Sequence, residues 1–130
     1  MAKLGLQKNM NNEVRTAFEN AGIDTMEQLL AAGSTKPGIK ALAQRTQLSE
    51  REILSWVNRA DLQRIKGIGQ EYNDLLEAAG VDSVKNLGCI LPSSLFSKLV
   101  QLNRQENYVR RMPSEKMVTS WVMRAKQLSS

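Results

Sequence analysis

The stretch Ile65–Gly69, with the sequence Ile-Lys-Gly-Ile-Gly, lies between two segments in which apolar residues recur at helical spacing. Glycine adopts backbone conformations that residues with a Cβ reach only at a cost, so two glycines separated by one residue favour a tight connection. Ile68, between the glycines, is placed to point inward between the flanking helices. The stretch therefore predicts a hairpin that joins two helices.

The chain resembles itself on the two sides of this hairpin. Arg15–Thr25 resembles Asn73–Ser83, and Ser49–Ala60 resembles Ser114–Ala125 more closely. Because both pairs occur in the same order, we infer two copies of one unit of roughly 60 residues. The sequence thus predicts an all-α fold of two pseudo-repeated four-helix units packed into one compact body. The first unit is expected over residues 1–65 and the second over residues 66–130.

Local signals place four helices in each copy. In the first copy, a helix ends at Gly22, a capping box near Thr25 opens the next, and Pro37 suits the start of the third. The fourth helix follows Ser49, and its expected buried stripe consists of Ile53, Trp56, Val57 and Ala60. In the second copy, the corresponding helices are expected to start near Gln70, Asp82, Pro92 and Ser114.

Two differences separate the copies. Lys8–Asn11 aligns with Lys66–Gly69 but lacks both glycines, so we expect a degenerate hairpin in the first copy. The corresponding tryptophans are 65 positions apart, whereas Gly22 and Gly80 are 58 positions apart, so the second copy carries seven additional residues. They fall in the segment 103–112, the densest basic stretch of the chain.

Composition excludes several classes of protein. The 130 residues are 42% hydrophobic and 24% charged, as is typical of a soluble globular protein. No apolar run approaches the ~20 residues of a membrane span, and residues 1–6 do not form a signal peptide, so we expect no membrane insertion and a cytoplasmic location. The absence of histidine and the single cysteine exclude ordinary zinc sites, internal disulfides and histidine-based catalysis. We therefore expect no enzyme, no metal, no cofactor and no small-molecule substrate.

Two features are candidate nucleic-acid contacts. The net charge of +5 is distributed, with +2 in residues 1–60 and +3 in residues 61–130, which permits nucleic-acid binding without demanding it. Main-chain N–H groups at the hairpin and at the start of the next helix suit a phosphate. The hairpin candidates are Lys66, Gly67, Ile68, Gly69 and Gln70. The basic segment adds Arg104, Arg110 and Arg111 around Tyr108, where an aromatic ring among cations suits stacking on a base.

Each candidate has a structural alternative. Glu71 and Asp74 follow the hairpin and would repel phosphate, which favours a purely structural turn, and the basic segment is alternatively a solvated loop. Trp56 and Trp121 are interpreted as core anchors, with ligand platforms as the alternative. Apolar neighbours predict a buried, inert thiol at Cys89. Four cations flank the tryptophan stripes. They are interpreted either as ordinary exposed residues at the rims of the helices or as a basic binding surface: Arg51, Arg59, Lys116 and Arg124.

Residues 61–69, 75–81 and 121–128 together resemble a bacterial family catalogued as a domain of unknown function, number four-three-three-two, which is helix-hairpin-helix-like. The resemblance covers nearly the whole chain and implies an all-helical fold of tandem hairpin units, but no agreed activity. Wider helix-hairpin-helix relatives bind DNA phosphates through hairpin amides, or serve as accessory and protein-interaction modules. We therefore expect a small non-catalytic protein that binds nucleic acid, DNA in the first place, without sequence specificity. The alternative is a protein–protein interaction adaptor or an accessory subunit of a larger complex.

Overall fold

Helices account for the regular structure of this protein. The computed structural model describes Lys3, Leu4, Gln7 and residues 10–129. Within them the helices are α1 (Asn12–Asn20), α2 (Met26–Ala32), α3 (Lys36–Thr46), α4 (Glu50–Leu62), α5 (Gln70–Ala78), α6 (Val84–Leu87), α7 (Pro92–Gln105) and α8 (Glu115–Ser129). This part of the chain contains no strand beyond an isolated antiparallel bridge between Lys3 and Thr25. The all-α fold expected from the sequence is confirmed.

Contacts divide the chain into two compact units, Met1–Ala60 and Asp61–Ser130. Each unit has its own apolar core. The fully buried large side chains of the first core include Leu4, Phe18, Leu29, Leu42 and Ile53. Those of the second include Leu62, Leu75, Leu76, Leu87 and Leu99. The boundary between residues 65 and 66 that the sequence favours stays a prediction.

The first unit shows how local signals fix helix ends. The Thr25 side chain accepts a hydrogen bond from the Gln28 N–H (3.1 Å), and the Gln28 Oε1 atom accepts one from the Thr25 N–H (3.2 Å), so a capping box opens α2 as expected. Gly22 follows α1 with a φ of +85°, the left-handed conformation predicted for it. Arg45 on α3 donates to the carbonyl of Ala21 (2.5 Å), which satisfies an acceptor at the end of α1.

The second unit contains a short helix whose start depends on a distant side chain. Helix α6 has only four residues, and the Ser83 side chain caps it by accepting from the Asn86 N–H (3.1 Å). Asp61, 23 positions before α6, accepts from the Val84 N–H (3.0 Å) and forms an ion pair with Arg64 (2.8 Å). A carboxylate at a helix N-terminus favours the helix electrostatically.

The burial expected for Cys89 is wrong. The Cys89 thiol is exposed, not buried. Helix α6 ends at Leu87, and Cys89 follows in a turn that is not part of any helix, so its apolar neighbours in sequence do not enclose it.

Two further expectations concern the first residues of the chain and the insertion of a helix into a membrane. The degenerate hairpin predicted at Lys8–Asn11 involves Lys8 and Asn9, which lie outside the described residues, as do most of residues 1–6. Among the helices of the described chain, none combines the length and apolarity that a membrane crossing requires.

Candidate nucleic-acid interface

The stretch Ile65–Gly69 forms the tight turn between α4 and α5. The Ile68 N–H donates to the Ile65 carbonyl (3.1 Å), and Gly67 has a φ of +98°, as the third residue of a type II turn requires. Ile65 and Ile68 are buried in the core of the second unit, with Ile68 only 4% exposed. Lys66, Gly67 and Gly69 are exposed. The two isoleucines thus anchor the turn in the core, while Lys66 and the backbone of the two glycines are exposed on its outer side.

The two glycines of the turn have different structural requirements. A Cβ on Gly67 would lie 3.1 Å from the Nε1 atom of Trp121, which packs beneath the turn. A Cβ on Gly69 would meet nothing within 4 Å, and Gly69 has an extended backbone with a φ of −97°. Gly67 is therefore required by the turn, whereas Gly69 leaves open space above the start of α5.

Gly69 is the N-cap of α5 and provides no side chain to cap the helix. The first unit differs, because the Asn11 side chain at the N-cap of α1 accepts from the Val14 N–H (2.9 Å). The amide of Ile68 is already used within the turn, so the hairpin amides considered for contact with an anion are those of the two glycines, Gly67 and Gly69. Glu71 lies in the first turn of α5 and contributes a negative charge.

The basic segment after α7 is anchored and is not a freely solvated loop. The Asn103 side chain accepts from the Val109 N–H (3.1 Å) and donates to the Val109 carbonyl (3.3 Å), and Val109 is buried. The Tyr72 hydroxyl on α5 donates to the carbonyl of Arg111 (2.9 Å). These bonds hold the segment against the helix that follows the hairpin.

The structure thereby brings part of the basic segment next to α5. A surface cleft of about 510 Å³ is lined by Glu71, Asn103, Asn107, Tyr108, Val109 and Arg110. Arg110 and Arg111 are exposed in the segment, and Arg104 is exposed in the last turn of α7. Arg110 lines the cleft, whereas Arg104 and Arg111 do not. Gln70, the remaining hairpin candidate, is half-buried at the start of α5.

Tyr108 is the aromatic side chain of the cleft. Repulsion from the Glu106 carboxylate, followed by desolvation and a hydrogen bond to Glu106, raises the pKa of the Tyr108 phenol above its ordinary value. Tyr108 is half-buried and packs in part against the core of the second unit. The phenol therefore stays neutral at physiological pH, and the side chain is partly exposed where it lines the cleft.

Neither the two tryptophans nor the four cations that flank them line this cleft. Trp56 and Trp121 are buried in their respective cores, and the Trp121 ring packs against Tyr72 with a centroid separation of 5.3 Å. Arg59, expected on an exposed rim, is instead buried with its guanidinium 5.6 Å from the centre of the Trp56 ring. Exposed positions are retained by Arg51, Lys116 and Arg124.

Sequence reasoning missed a second surface feature, in the first unit. Leu54 on α4 is 45% exposed and lines a groove with residues of α3. The available signal was its position beside the buried stripe of α4, where a leucine follows Ile53 directly. The neighbouring helix that completes the groove could not be inferred from that pattern.

By fold and surface, the chain is a small all-helical protein with an exposed glycine turn next to an anchored basic segment. Its sequence matches the family model described as a domain of unknown function (DUF4332) over residues 8–128, so the chain belongs to this family. The family expected from the sequence is confirmed. No curated protein and no solved structure matches the chain.

Proposed function

We propose that the chain is a tandem helix-hairpin-helix-like protein that binds nucleic acid by contacting phosphates, without reading bases. The observation that carries the proposal is the Ile65–Gly69 turn. It exposes Lys66 and two glycine backbones where α5 begins, while two buried isoleucines hold it rigid. Backbone N–H groups at such a position bind phosphate oxygens and carry no sequence information.

Matching helix ends support two copies of one unit. Helices α1 and α5 both end before a glycine of positive φ, Gly22 at +85° and Gly80 at +87°. Helices α4 and α8 both follow a serine, Ser49 and Ser114, whose hydroxyl accepts from the N–H three residues on, in each case at 3.1 Å. In the tandem arrangement that we propose, the hairpin with both glycines belongs to the second copy.

The anchored basic segment supports the same site. The hydrogen bond from Tyr72 to Arg111 fixes that segment beside α5, so Arg110 and Arg111 are presented without the entropic cost of ordering a free loop. With Lys66 and Arg104, four cations are available to phosphates. Tyr108 is partly exposed, and its aromatic ring is a candidate for stacking with a base of single-stranded nucleic acid.

The test measures salt dependence. Binding of a labelled duplex DNA of mixed sequence and of a single-stranded RNA is followed by fluorescence anisotropy. If all four cations contact phosphates, log K falls against log salt with a slope of about −3.6 for duplex DNA, and Lys66→Gln reduces the slope by about 0.9. Lys66→Glu weakens binding further, and Lys98→Glu on α7, an exposed lysine outside the set, is the charge-matched control.

Two results would overturn this proposal. One is no binding by the wild-type protein at about 25 mM salt, where electrostatic attraction is least screened. The other is a Lys66→Gln variant that keeps both the affinity and the slope of the wild type. Equal loss in Lys66→Glu and Lys98→Glu assigns the effect to net charge and removes the hairpin from the site.

Protein–protein interaction is the second candidate function, and specific observations favour it. Glu71 shares the cleft with Arg110 and places a negative charge where a phosphate would approach. Several large apolar side chains are exposed, with Leu91 70% and Leu54 45% accessible. An adaptor would bury such side chains against its partner. This candidate would be favoured if the purified chain carries no nucleic acid and one protein partner is recovered with it in a stoichiometric amount.

A further inference from the structure

A groove between the starts of α3 and α4 lies in the first unit, away from the hairpin in sequence. It has a volume of about 260 Å³, below the roughly 300–1,000 Å³ of small-molecule pockets, so it suits one or two side chains of a larger partner. Its lining consists of Lys36, Ile39, Lys40, Glu50, Arg51 and Leu54.

The floor of the groove is apolar. Leu54 is 45% exposed, although α4 buries its neighbours Ile53 and Val57 in the core. Ile39 on α3 is half-buried and packs in part against the same core. Single exposed leucines are common on protein surfaces, but here the leucine is paired with a second branched side chain inside a concavity. The groove therefore offers a site for an apolar side chain.

The rim of the groove is basic. Lys36, Lys40 and Arg51 are exposed and line the groove together with one carboxylate, that of Glu50. Within the described residues, no hydrogen bond or ion pair holds these three cations. Lys36 and Lys40 are four positions apart on α3 and share one side of it.

The start of α3 adds to this positive potential. Helix α3 has no acidic residue in its first turn and carries Lys36 there, whereas α1 and α2 have Glu13 and Glu27. A cation at a helix N-terminus adds to the positive end of the helix dipole. No acidic residue in the first turn of α3 offsets this positive electrostatic potential, so an acidic partner would neutralise it.

We propose that this groove binds an acidic peptide segment of a partner protein, with one apolar anchor residue between Ile39 and Leu54. Carboxylates beside the anchor pair with Lys36, Lys40 and Arg51. A nucleic-acid backbone has phosphates but no apolar anchor, and none of the described residues that line the groove is aromatic and able to stack on a base. The proposal gives a surface and a partner chemistry to the second candidate function, on which it rests, and it does not depend on binding at the hairpin.

The test uses a fluorescein-labelled amphipathic peptide in which leucines recur at helical spacing among glutamates. Two control peptides replace the leucines by serine or the glutamates by glutamine. We expect the full peptide to bind and both controls to bind at least tenfold more weakly. Leu54→Ser weakens binding about tenfold, because part of a leucine side chain is no longer buried on binding. Lys36→Glu/Lys40→Glu weakens binding at low salt, and the same peptide with lysines in place of glutamates binds this double variant better than it binds the wild type.

Substitutions at exposed positions are expected to leave the fold intact, which circular dichroism checks, and Lys98→Glu is the charge control. No binding of the full peptide by the wild-type chain overturns the proposal. So does equal binding of the serine peptide, which would make the groove a general polyanion surface, and so does equal peptide affinity of Leu54→Ser. If a protein partner binds the wild type and Leu54→Ser equally, the proposal for the groove is overturned, whereas the protein-interaction function is retained. Peptide binding at the groove by a chain that pulls down no partner supports the groove chemistry and counts against the adaptor function.

Discussion

Replacing Gly67 by alanine should destabilise the second unit measurably. Gly67 has a φ of +98°, and a Cβ there lies 3.1 Å from the Trp121 Nε1 atom. A residue with a Cβ in a left-handed conformation costs roughly 1–2 kcal/mol. Trp121 is only 3% exposed and is held by its own core, so it gives way poorly. We expect Gly67→Ala to lower the free energy of unfolding by about 2 kcal/mol.

The matched control lies two positions further on. Gly69→Ser places a side chain in open space on an extended backbone, at the N-cap of α5. Its hydroxyl can accept from the Tyr72 N–H, as Asn11 accepts from Val14 in the first unit. Because serine is a better N-cap than glycine, Gly69→Ser should raise stability by a few tenths of a kcal/mol. The two substitutions in one turn therefore have opposite signs.

Urea unfolding followed by circular dichroism and tryptophan fluorescence measures both variants. With an m-value of roughly 1–3 kcal/mol/M, Gly67→Ala should lower the urea midpoint by about 1 M at unchanged m. A midpoint for Gly67→Ala that equals or exceeds the wild-type value would refute the argument that the turn needs a left-handed residue. A loss of similar size in Gly69→Ser would show that both glycines are required for reasons other than φ and space.

Three further predictions concern the second unit. Asn103→Ala removes two hydrogen bonds to the Val109 backbone, so the free energy of unfolding should fall by about 2 kcal/mol. The Val109 amide hydrogen should also exchange with solvent faster, and an unchanged exchange rate would contradict the anchoring of the segment. An NMR titration of the tyrosine ring resonances in the otherwise unchanged chain, which keeps the Tyr72 hydroxyl, should place the Tyr108 pKa above about 10, and Glu106→Gln should bring it back toward that value. The raised pKa means that the folded chain favours the neutral phenol. The contribution of Tyr108 to folding stability is therefore fully present below about pH 10 and is lost as pH rises through the Tyr108 pKa. Cys89 should react with a thiol reagent in the native protein, one thiol per chain, and reaction only after urea is added would show that it is buried after all.

Local signals made most helix boundaries predictable. A capping serine, a glycine after the last turn and an apolar stripe act within a few residues, so they can be read along the chain. The end of α1 before Gly22 and the start of α4 after Ser49 follow from such signals. The turn at Ile65–Gly69 was predictable for the same reason, including the burial of Ile68.

Features that depend on another element were not predictable in this way. Cys89 was expected to be buried because its neighbours are apolar, but burial is decided by where the chain leaves α6. The anchoring of the basic segment depends on Asn103 and on Tyr72, which is 39 positions from its acceptor. The groove at Leu54 exists only because α3 lies beside it.

The carboxylate of Asp61 determines how the second half of the chain can be isolated. Asp61 lies near the end of α4 yet accepts a hydrogen bond from Val84 at the start of α6. A fragment that begins at residue 66 would keep both glycines but lose Ile65, whose carbonyl closes the turn, and it would also lose the Asp61 acceptor, leaving a four-residue helix with one of its first amides unsatisfied. A fragment that begins at Asp61 would keep both. The modular boundary of this protein, in the practical sense of where it can be cut, therefore lies within a continuous helix and ahead of the hairpin.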